Sequence, residues 1–574
     1  MSERERGQEE GKGSEEPRVG VFICHCGLNI AGTVDVEEVV KYASTLPDVV
    51  VAKDYMYMCS SAGLDMIKEA IREHKLNRVV VAACTPRTHE PLFRQTCAEA
   101  GLNPYLFEMA NIREHCSWVH MHEKKMATEK AKDIVRMTVA KARLLRPQED
   151  IVVSVEPKAL VIGGGVSGMT AALSLARQGF KVYLVEKEPE LGGLLRKLNK
   201  IYPAFREASE LLSELVKAVE SEENIEVLTS TRVEHVKGFV GNFTVKLRRA
   251  SGEELELFVG TIIVATGAVE YEPKGLYGYG ELEGVITQLQ LEERLRKGEL
   301  GEPEAVVFIL CAGAREAEGP RSYCSRICCI TALKNAVLIK EERPETDIYV
   351  LYRDIQTPGI EYEELYHLAR ELGVRFVRYS PEKPPKVSAE GGRLRVSVFC
   401  TFLGRELLVP CDLVVLSAPL VQHEDGRGLS RLLKVPLSQD GFFLEAHPKL
   451  RPVEFASDGI FLCGAAHFPK PIGECVAQAR AAAGKAAILM GARQLRTEAI
   501  TAVVDEARCI GCGLCVELCP FGAPILEGRK ARIREAVCKG CGTCAASCPR
   551  NAISMRHFTD EQIEAQIKAL LSGR

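Results

Sequence analysis

The chain has 574 residues, enough for several domains, because single hydrophobic cores rarely grow beyond about 250–300 residues. Its formal net charge of −4 gives no basic field that would attract nucleic acid, and no apolar run reaches the ~20 residues that span a bilayer. The charged segment 1–17 lacks the apolar stretch of a signal peptide. We therefore predict a disordered tail and a cytoplasmic protein that binds neither nucleic acid nor membrane.

The segment 18–150 alternates strand-like and helix-like stretches, which predicts a parallel sheet covered by helices. Cysteines follow its strands, beginning with Cys24 and Cys26 at the end of the first. The carboxyl ends of parallel strands meet at one edge of a sheet, so we expect distant thiols to meet there. They predict a cluster or a redox-active thiol site, and the alternative is a set of small buried hydrophobic residues. The candidate ligands are Cys26, Cys59, Cys84 and Cys116.

A dinucleotide-binding pattern begins after the linker near residue 150 and extends to about residue 495. The strand Ala159–Ile162 leads into Gly163-Gly-Gly165-Val-Ser-Gly168, and a second strand ends in Glu186. The glycines permit a tight turn, close approach of a pyrophosphate and close helix packing, while Glu186 can accept hydrogen bonds from a ribose diol. The candidate cofactor-binding residues are Gly163, Gly165, Val166, Ser167, Gly168, Glu186, Lys187, Gly193, Thr266, Gly267 and Gly464.

The surrounding motifs favour FAD over NAD. The segments 191–193, 261–267 and 459–466 resemble the corresponding parts of two-dinucleotide-binding flavoproteins such as thioredoxin reductase. One departure is Ala465, which stands where those proteins carry an Asp that contacts the ribityl chain.

Cysteines stand where such flavoproteins bind a nicotinamide nucleotide. In the middle segment of about 285–430, the strand Ala305–Leu310 is followed by no G-x-G-x-x-G motif. Open α/β sheets bind ligands at the carboxyl ends of their strands, so we predict an iron–sulfur cluster here in preference to an NAD(P)H site. A vicinal disulfide between Cys328 and Cys329, or four buried thiols, are the alternatives. The candidate ligands are Cys311, Cys324, Cys328 and Cys329.

The segment 496–556 carries two runs of the form C-x2-C-x2-C-x3-C-P, and a helix is predicted in 557–574. The run is typical of bacterial two-cluster ferredoxins, in which the fourth cysteine of each run binds the other cluster. The alternative is a pair of zinc knuckles, which favour more widely separated cysteine pairs. The predicted ligand sets are Cys509, Cys512, Cys515 and Cys548 for one [4Fe–4S] cluster, and Cys538, Cys541, Cys544 and Cys519 for the other.

Several motifs together resemble the family of heterodisulfide reductase A subunits. They are Val21-Phe-Ile-Cys-His-Cys-Gly27, Ala83-Cys-Thr-Pro-Arg87, Asn111-Ile-Arg-Glu-His-Cys-Ser117, Tyr323-Cys-Ser-Arg-Ile-Cys-Cys329 and Phe558-Thr-Asp-Glu-Gln562. The resemblance implies an FAD protein that takes electron pairs from a hydrogenase or dehydrogenase and divides them between ferredoxin and a disulfide-reducing subunit. Methanogen members often carry an inserted ferredoxin domain after the Gly-Gly pair, whereas Leu194–Pro203 here contains no cysteine.

The predicted fold is an α/β multidomain chain: a parallel α/β domain, a thioredoxin-reductase-like Rossmann-type FAD domain and an α+β bacterial 2[4Fe–4S] ferredoxin domain. The predicted function is an oxidoreductase subunit that converts two-electron input at FAD into one-electron transfer through [4Fe–4S] clusters. This prediction extends to flavin-based electron bifurcation. No side chain is predicted to be catalytic. The alternatives are a stand-alone NAD(P)H-dependent flavoprotein reductase and a non-catalytic electron-relay subunit.

Overall fold

The computed structural model describes residues 16–572, so most of the predicted tail, residues 1–15, lies outside the described residues. The chain forms two compact units, one comprising the residues up to Ile151 together with those from Arg496 onward, and the other comprising Val152–Leu495. The strands Ile151–Ser154 and Gln494–Thr497 span the two points where the chain passes between units. Across residues 16–572, no helix combines the length and apolar character needed to cross a membrane.

The N-terminal part of the first unit is a four-stranded parallel sheet with the strand order 2-1-3-4. Its central strand is entirely buried, as the uninterrupted apolar run Val19–Cys24 predicts for a sheet covered on both faces. In chain order the strands are Val19–Cys24, Val49–Tyr55, Arg78–Ala83 and Phe107–Asn111, and the helices are Val36–Ala43, Ser61–Glu73, Pro86–Glu99 and Lys124–Ala142.

The C-terminal part of the first unit is a small module of two antiparallel strand pairs. The terminal helix Asp560–Leu571 confirms the predicted C-terminal helix and begins with a capping box of Thr559 and Gln562. Arg136 donates a hydrogen bond to the carbonyl of Ala569 and so ties this helix to the helix Lys124–Ala142. The strand pairs are Ala502–Val504 with Ile553–Met555 and Pro524–Glu527 with Lys530–Ile533, and the short helices are Leu514–Leu518 and Thr543–Ala546.

The second unit contains two five-stranded parallel sheets. In spatial order the first sheet is Ile225–Leu228, Lys181–Val185, Lys158–Ile162, Thr261–Val264 and Ile460–Leu462. Its helices are Val166–Ala176, Ala208–Glu220 and Ile472–Ala492, and a three-stranded antiparallel layer consists of Thr231–Phe239, Asn242–Arg249 and Glu254–Val259.

The second sheet is built like the first and lies in the middle of the chain. In spatial order it is Val285–Thr287, Leu413–Leu416, Ala305–Ile309, Asp347–Tyr352 and Arg375–Arg378. Its helices are Gln288–Lys297, Cys328–Glu342 and Ile360–Glu371, and its antiparallel layer consists of Lys386–Glu390, Arg393–Cys400 and Arg405–Cys411. A short antiparallel strand pair connects the part of the unit built on the second sheet to the part built on the first. It consists of Ala268–Glu270 and Leu420–Gln422, and the helix Gly426–Leu433 follows.

The predicted α/β architecture is confirmed, with a Rossmann-type nucleotide fold in the second unit. The alternation of strands and helices gave the order of elements in 18–150 and the strand–turn–helix at Gly163. The predicted domains 18–150, 496–556 and 557–574 all lie in the first unit, and their division into separate domains stays a prediction.

Candidate functional site

The eight cysteines of the C-terminal module surround two small cavities. One is lined by Cys509, Cys512, Cys515 and Cys548, and the other by Cys519, Cys538, Cys541 and Cys544. Each cavity thus brings together three cysteines of one run with the fourth cysteine of the other run. Burial, together with the nearby thiols of Cys538, Cys519 and Cys541, raises the pKa of Cys544 to about 11.

Main-chain amides point at four of these sulfur atoms. Ala531 donates to Sγ of Cys509 and Ala502 donates to Sγ of Cys538, each over 3.4 Å. Corresponding bonds reach Cys519 from Ala523 over 3.4 Å and Cys548 from Ala552 over 3.3 Å. Hydrogen bonds of this kind stabilise the negative charge of thiolate ligands in iron–sulfur proteins. The donor set therefore fits two four-iron clusters.

Four thiols also meet at the carboxyl end of the strand Ala305–Ile309. Cys311 follows that strand, and Cys328 and Cys329 begin the helix Cys328–Glu342. Burial raises the pKa of Cys311, Cys328 and Cys329, and neighbouring thiols that include Cys324 contribute to each shift, which brings Cys329 to about 12. All four predicted residues of the middle set therefore lie together, where iron could offset the charge of their thiolates.

Two contacts connect this thiol loop to neighbouring parts of the second unit. Arg326 donates two hydrogen bonds to the carboxylate of Glu474 in the first turn of the helix Ile472–Ala492. Tyr323 donates its hydroxyl to the carbonyl of Leu420 and packs edge-on against Phe442 and Phe468. The loop is thereby fixed on both sides of Cys324.

In the N-terminal sheet the thiols that meet are not the four that sequence reasoning selected. Burial raises the pKa of Cys24, and Cys26 and Cys59 raise it further, while Cys59 and Cys26 act in the same way on Cys84. Cys116 has no thiol among the groups that shift its pKa, which burial raises to about 11, and its own thiol donates to the carbonyl of Ala127 over 3.0 Å. The structure therefore groups Cys24 with Cys26, Cys59 and Cys84.

The glycine-rich turn of the first nucleotide fold has the close contacts that its sequence predicts. Gly163 has φ +109°, and a Cβ added there would lie 2.4 Å from the carbonyl oxygen of Ala265. A Cβ at Gly168 would lie 1.7 Å from the carbonyl oxygen of Gly163, so only glycine permits this contact. A Cβ on Gly165 would meet no atom within 4 Å. This open backbone, before the helix that starts at Val166, is where a pyrophosphate could approach.

The other predicted flavin residues border the same turn. Glu186 accepts hydrogen bonds from the amides of Gly164, over 2.6 Å, and Glu188, over 2.9 Å. Gly193 backs onto Gly165, since a Cβ there would lie 3.4 Å from the Cα of Gly165. The buried hydroxyl of Thr266 has no hydrogen-bond partner, and Gly267 beside it has open space and φ +70°. An unpartnered buried hydroxyl beside open backbone fits a nucleotide cofactor.

Lys187 and Gly464 make contacts that the sequence did not predict. Lys187 forms an ion pair with Asp425 over 2.8 Å. Gly464 packs so closely on Ser167 that an added Cβ would lie 2.1 Å from its hydroxyl oxygen, and its amide donates to Gln478 over 3.0 Å. The ammonium of Lys470 donates to the carbonyl of Gly464, and burial lowers the pKa of Lys470 to about 8. This network holds the turn in which Ala465 replaces the usual Asp.

Within residues 16–572, no three His, Cys, Asp or Glu side chains converge closely enough to hold a single metal ion. The ligands of a four-iron cluster lie farther apart than those of a single ion, because each thiolate binds a different iron atom. Sequence reasoning missed Cys24 as a member of the N-terminal set, although its position two residues before Cys26 was a visible signal. It also missed Arg326, Glu474 and Lys470, for which no local pattern exists.

Two family models match the chain. A pyridine nucleotide-disulphide oxidoreductase model matches residues 157–313, and a 4Fe-4S dicluster domain model matches residues 482–555. They identify an oxidoreductase with an FAD-type nucleotide domain and an iron–sulfur module. A solved thioredoxin reductase from Lactococcus lactis aligns with 59% of this chain and 100% of its own at 17% identity and a TM-score of 0.42.

Several curated relatives match almost the whole chain, including the following two. The first is the A subunit of the H(2):CoB-CoM heterodisulfide,ferredoxin reductase of Methanothermobacter marburgensis, 42% identical over 654 aligned residues and covering 98% of this chain and 99% of the relative. The second, from Archaeoglobus profundus, is described as similar to the A subunit of heterodisulfide reductase and is 39% identical over 97% of this chain and 98% of the relative. Since the first alignment is longer than the 574 residues of this chain, that relative carries residues without a counterpart here.

Proposed function

Because this chain belongs to the family of heterodisulfide reductase A subunits, we propose that it exchanges electron pairs with one partner and single electrons with others. Bound flavin supplies the chemistry for this exchange, since flavins react in both two-electron and one-electron steps. The observation that carries the proposal is the thiol set at residues 311–329, which lies in the same unit as the flavin turn.

The protein residues bind and orient the cofactors. Gly165, with Gly193 packed against it, would leave open backbone for the pyrophosphate at the N-terminus of the helix Val166–Ala176, and Glu186 beside the turn would hold the ribose. Three cluster sites are proposed with the predicted ligands: Cys509, Cys512, Cys515 and Cys548; Cys519, Cys538, Cys541 and Cys544; and Cys311, Cys324, Cys328 and Cys329.

A fourth cluster site is proposed in the N-terminal sheet with Cys24 in place of Cys116. The two residues provide a matched test by iron analysis of anaerobically purified protein. Cys24→Ser should remove about four irons per chain, the content of one four-iron cluster, and Cys116→Ser should remove none. Loss of iron only in the Cys116 variant would overturn this ligand set.

The proposed partners are other subunits of a heterodisulfide-reductase-type complex, a hydrogenase or dehydrogenase donor, and ferredoxin. Relatives whose names include ferredoxin support the last. Bifurcation needs a second exit for single electrons, and the cysteine-free segment Leu194–Pro203 provides none. We therefore propose that a partner subunit provides that exit wherever bifurcation occurs.

Rapid-mixing and flavin-removal experiments test the proposal against its alternatives. NADH or NADPH added to the isolated chain should leave the flavin absorbance unchanged on the time scale of turnover. Rapid bleaching would instead identify a stand-alone nicotinamide-dependent reductase. Removing the flavin from the complex purified from its native cell should stop electron flow to the final acceptor, and undiminished flow would identify a simple relay subunit.

A further inference from the structure

The loop that carries the middle thiols also carries an arginine, Arg315, whose partner Asp354 lies beside one of the thiols. Arg315 follows Cys311 by four residues and has a left-handed backbone with φ +54°. Its amide donates to the carbonyl of Tyr323 over 3.1 Å, and its own carbonyl accepts a hydrogen bond from Arg353 over 3.0 Å. With both backbone groups bonded, the direction in which the side chain leaves the loop is fixed.

The guanidinium of Arg315 is held by a carboxylate beside the thiol set. Its Nη2 donates to Oδ2 of Asp354 over 2.9 Å. Arg378 donates to the other oxygen of Asp354 over 3.1 Å. The carbonyl of Asp354 lies 3.8 Å from Sγ of Cys329. A cationic donor and a carboxylate therefore sit next to each other beside the same thiol set.

We propose that Arg315 and Asp354 set the reduction potential of the middle cluster in opposite directions, Arg315 raising it and Asp354 lowering it. The inference rests on the proposed function, because it requires a cluster on Cys311, Cys324, Cys328 and Cys329. Both residues are tuning residues outside the ligand set, and they act through the charges that they place beside it.

The direction of each effect follows from electrostatics. Adding an electron makes a cluster more negative, so a nearby positive charge or a donor to a ligand sulfur stabilises the reduced state. The ion pair with Asp354 holds the positive charge of Arg315 beside the thiol set, because the carbonyl of Asp354 lies 3.8 Å from Sγ of Cys329. Asp354 carries the opposite charge, so it destabilises the reduced state and lowers the reduction potential.

Arg321 serves as a matched control because it lies in the same loop but bonds elsewhere. It donates to the carbonyl of Gly313 and to the carboxylate of Glu316, and its guanidinium lies 4.1 Å from the centre of the Tyr271 ring. Replacing it removes one positive charge and one ion pair from the loop and leaves the Arg315–Asp354 pair in place.

The test is an anaerobic potentiometric titration of the full chain, loaded with iron and flavin, followed by EPR of the middle cluster. Arg315→Gln should shift the cluster's equilibrium about tenfold toward the oxidised state, which corresponds to about 59 mV for one electron. Arg315→Lys should recover part of this shift. Asp354→Asn should shift the equilibrium in the opposite direction, and Arg321→Gln should leave it unchanged.

Two results would overturn the inference while leaving the proposed function intact. The first is an unchanged reduction potential in both the Arg315 and the Asp354 variants. The second is a shift of the same sign in the Arg315, Asp354 and Arg321 variants. Iron analysis separates the two levels. If the parent chain lacked the iron and the EPR signal of a middle cluster, the cluster assignment itself would fail, and the inference would fail with it.

Discussion

Arg326 and Glu474 are joined by two parallel hydrogen bonds, with Nη2 donating to Oε1 over 2.8 Å and Nη1 donating to Oε2 over 3.0 Å. The amide of Arg326 also donates to Sγ of Cys324 over 3.4 Å. One residue therefore connects a thiol of the middle set to the first turn of the helix Ile472–Ala492, which follows the flavin-side residue Gly464.

Reversing this pair should slow electron exchange between flavin and the middle cluster. Arg326→Glu and Glu474→Arg each bring like charges together and displace the loop, whereas the double variant restores the attraction. Both side chains are partly exposed, so the pair contributes at most about 1 kcal/mol to folding and the variants should remain folded. The measurement is the equilibration rate after flash photoreduction.

An exposed ion pair in the same unit provides the control. Reversing Lys297 and Glu293, which pair over 2.7 Å on the helix Gln288–Lys297, should leave that rate unchanged. If the double variant of Arg326 and Glu474 were as slow as either single variant, the positioning role would be wrong.

Two glycines of the flavin turn should respond differently to alanine. Gly165→Ala introduces a methyl group into open space, so the chain should fold and yet bind little FAD. Gly168→Ala forces a Cβ against the carbonyl of Gly163, and overpacking of this kind costs about 1–3 kcal/mol or more. Flavin content and thermal unfolding of each variant distinguish the two effects.

Gly484 is the matched glycine, because it lies in the helix Ile472–Ala492 with no atom near its missing Cβ. Gly484→Ala should stabilise the helix by about 0.5–1 kcal/mol and leave FAD binding intact. Full flavin content in the Gly165 variant would contradict the assignment of this turn to the pyrophosphate.

A cluster of buried charged side chains in the first unit should make the free energy of unfolding depend on pH in the acid range. Burial tends to raise the pKa of Glu108, but the hydrogen bond from His557 and the charge of Lys141 outweigh it and hold the pKa below its usual value. A lowered carboxyl pKa contributes stability above pH ~4.3, and this contribution is lost as the pH falls through the folded-state value. Urea unfolding of the parent and Glu108→Gln between neutral and acid pH measures it.

Replacing the buried cation of this cluster should lower the free energy of unfolding more than replacing a surface cation does. Lys141 is almost fully buried and lies 2.8 Å from Glu108, so Lys141→Met leaves a buried carboxylate short of a partner and should cost about 3–5 kcal/mol. Lys68, which pairs with Glu99 over 2.6 Å at the surface, is the control, and Lys68→Met should cost less than about 1 kcal/mol. Equal losses would show that the buried group has no special role.

Glu270 should give the opposite pH dependence in the second unit. Burial raises its pKa to about 7, although the hydroxyl of Thr287 and the amide of Leu289 donate to its carboxylate. The folded state therefore holds a proton that the unfolded chain has released, so stability should fall as the pH rises from about 4.3 to about 7. Glu270→Gln should flatten this slope in urea unfolding, and an unchanged slope would place the titration elsewhere.

The elements of the fold were predictable because their causes are local. Apolar runs such as Val19–Cys24 predict buried parallel strands, and the spacing of Gly163, Gly165 and Gly168 predicts a strand, a tight turn and a helix. The grouping of the C-terminal cysteines into two interleaved sets followed from their spacing, and the two lined cavities have the same grouping.

What could not be predicted depends on packing between distant parts of the chain. After the fourth strand the chain enters the π-helical turn Arg113–Ser117, and this turn directs the Cys116 thiol to Ala127, away from the other cysteines. Glu108 and His557 are 449 positions apart, and Arg326 and Glu474 are 148 apart. No periodicity or motif connects residues at such separations.

The most direct test of the central claim is the iron and flavin content of the anaerobically purified chain. Four [4Fe–4S] clusters require about sixteen irons per chain, and the nucleotide turn requires one FAD. We expect both values, with matching acid-labile sulfide. Fewer than about eight irons, or a chain without flavin, would contradict the account of this protein as a flavin and iron–sulfur electron-transfer subunit.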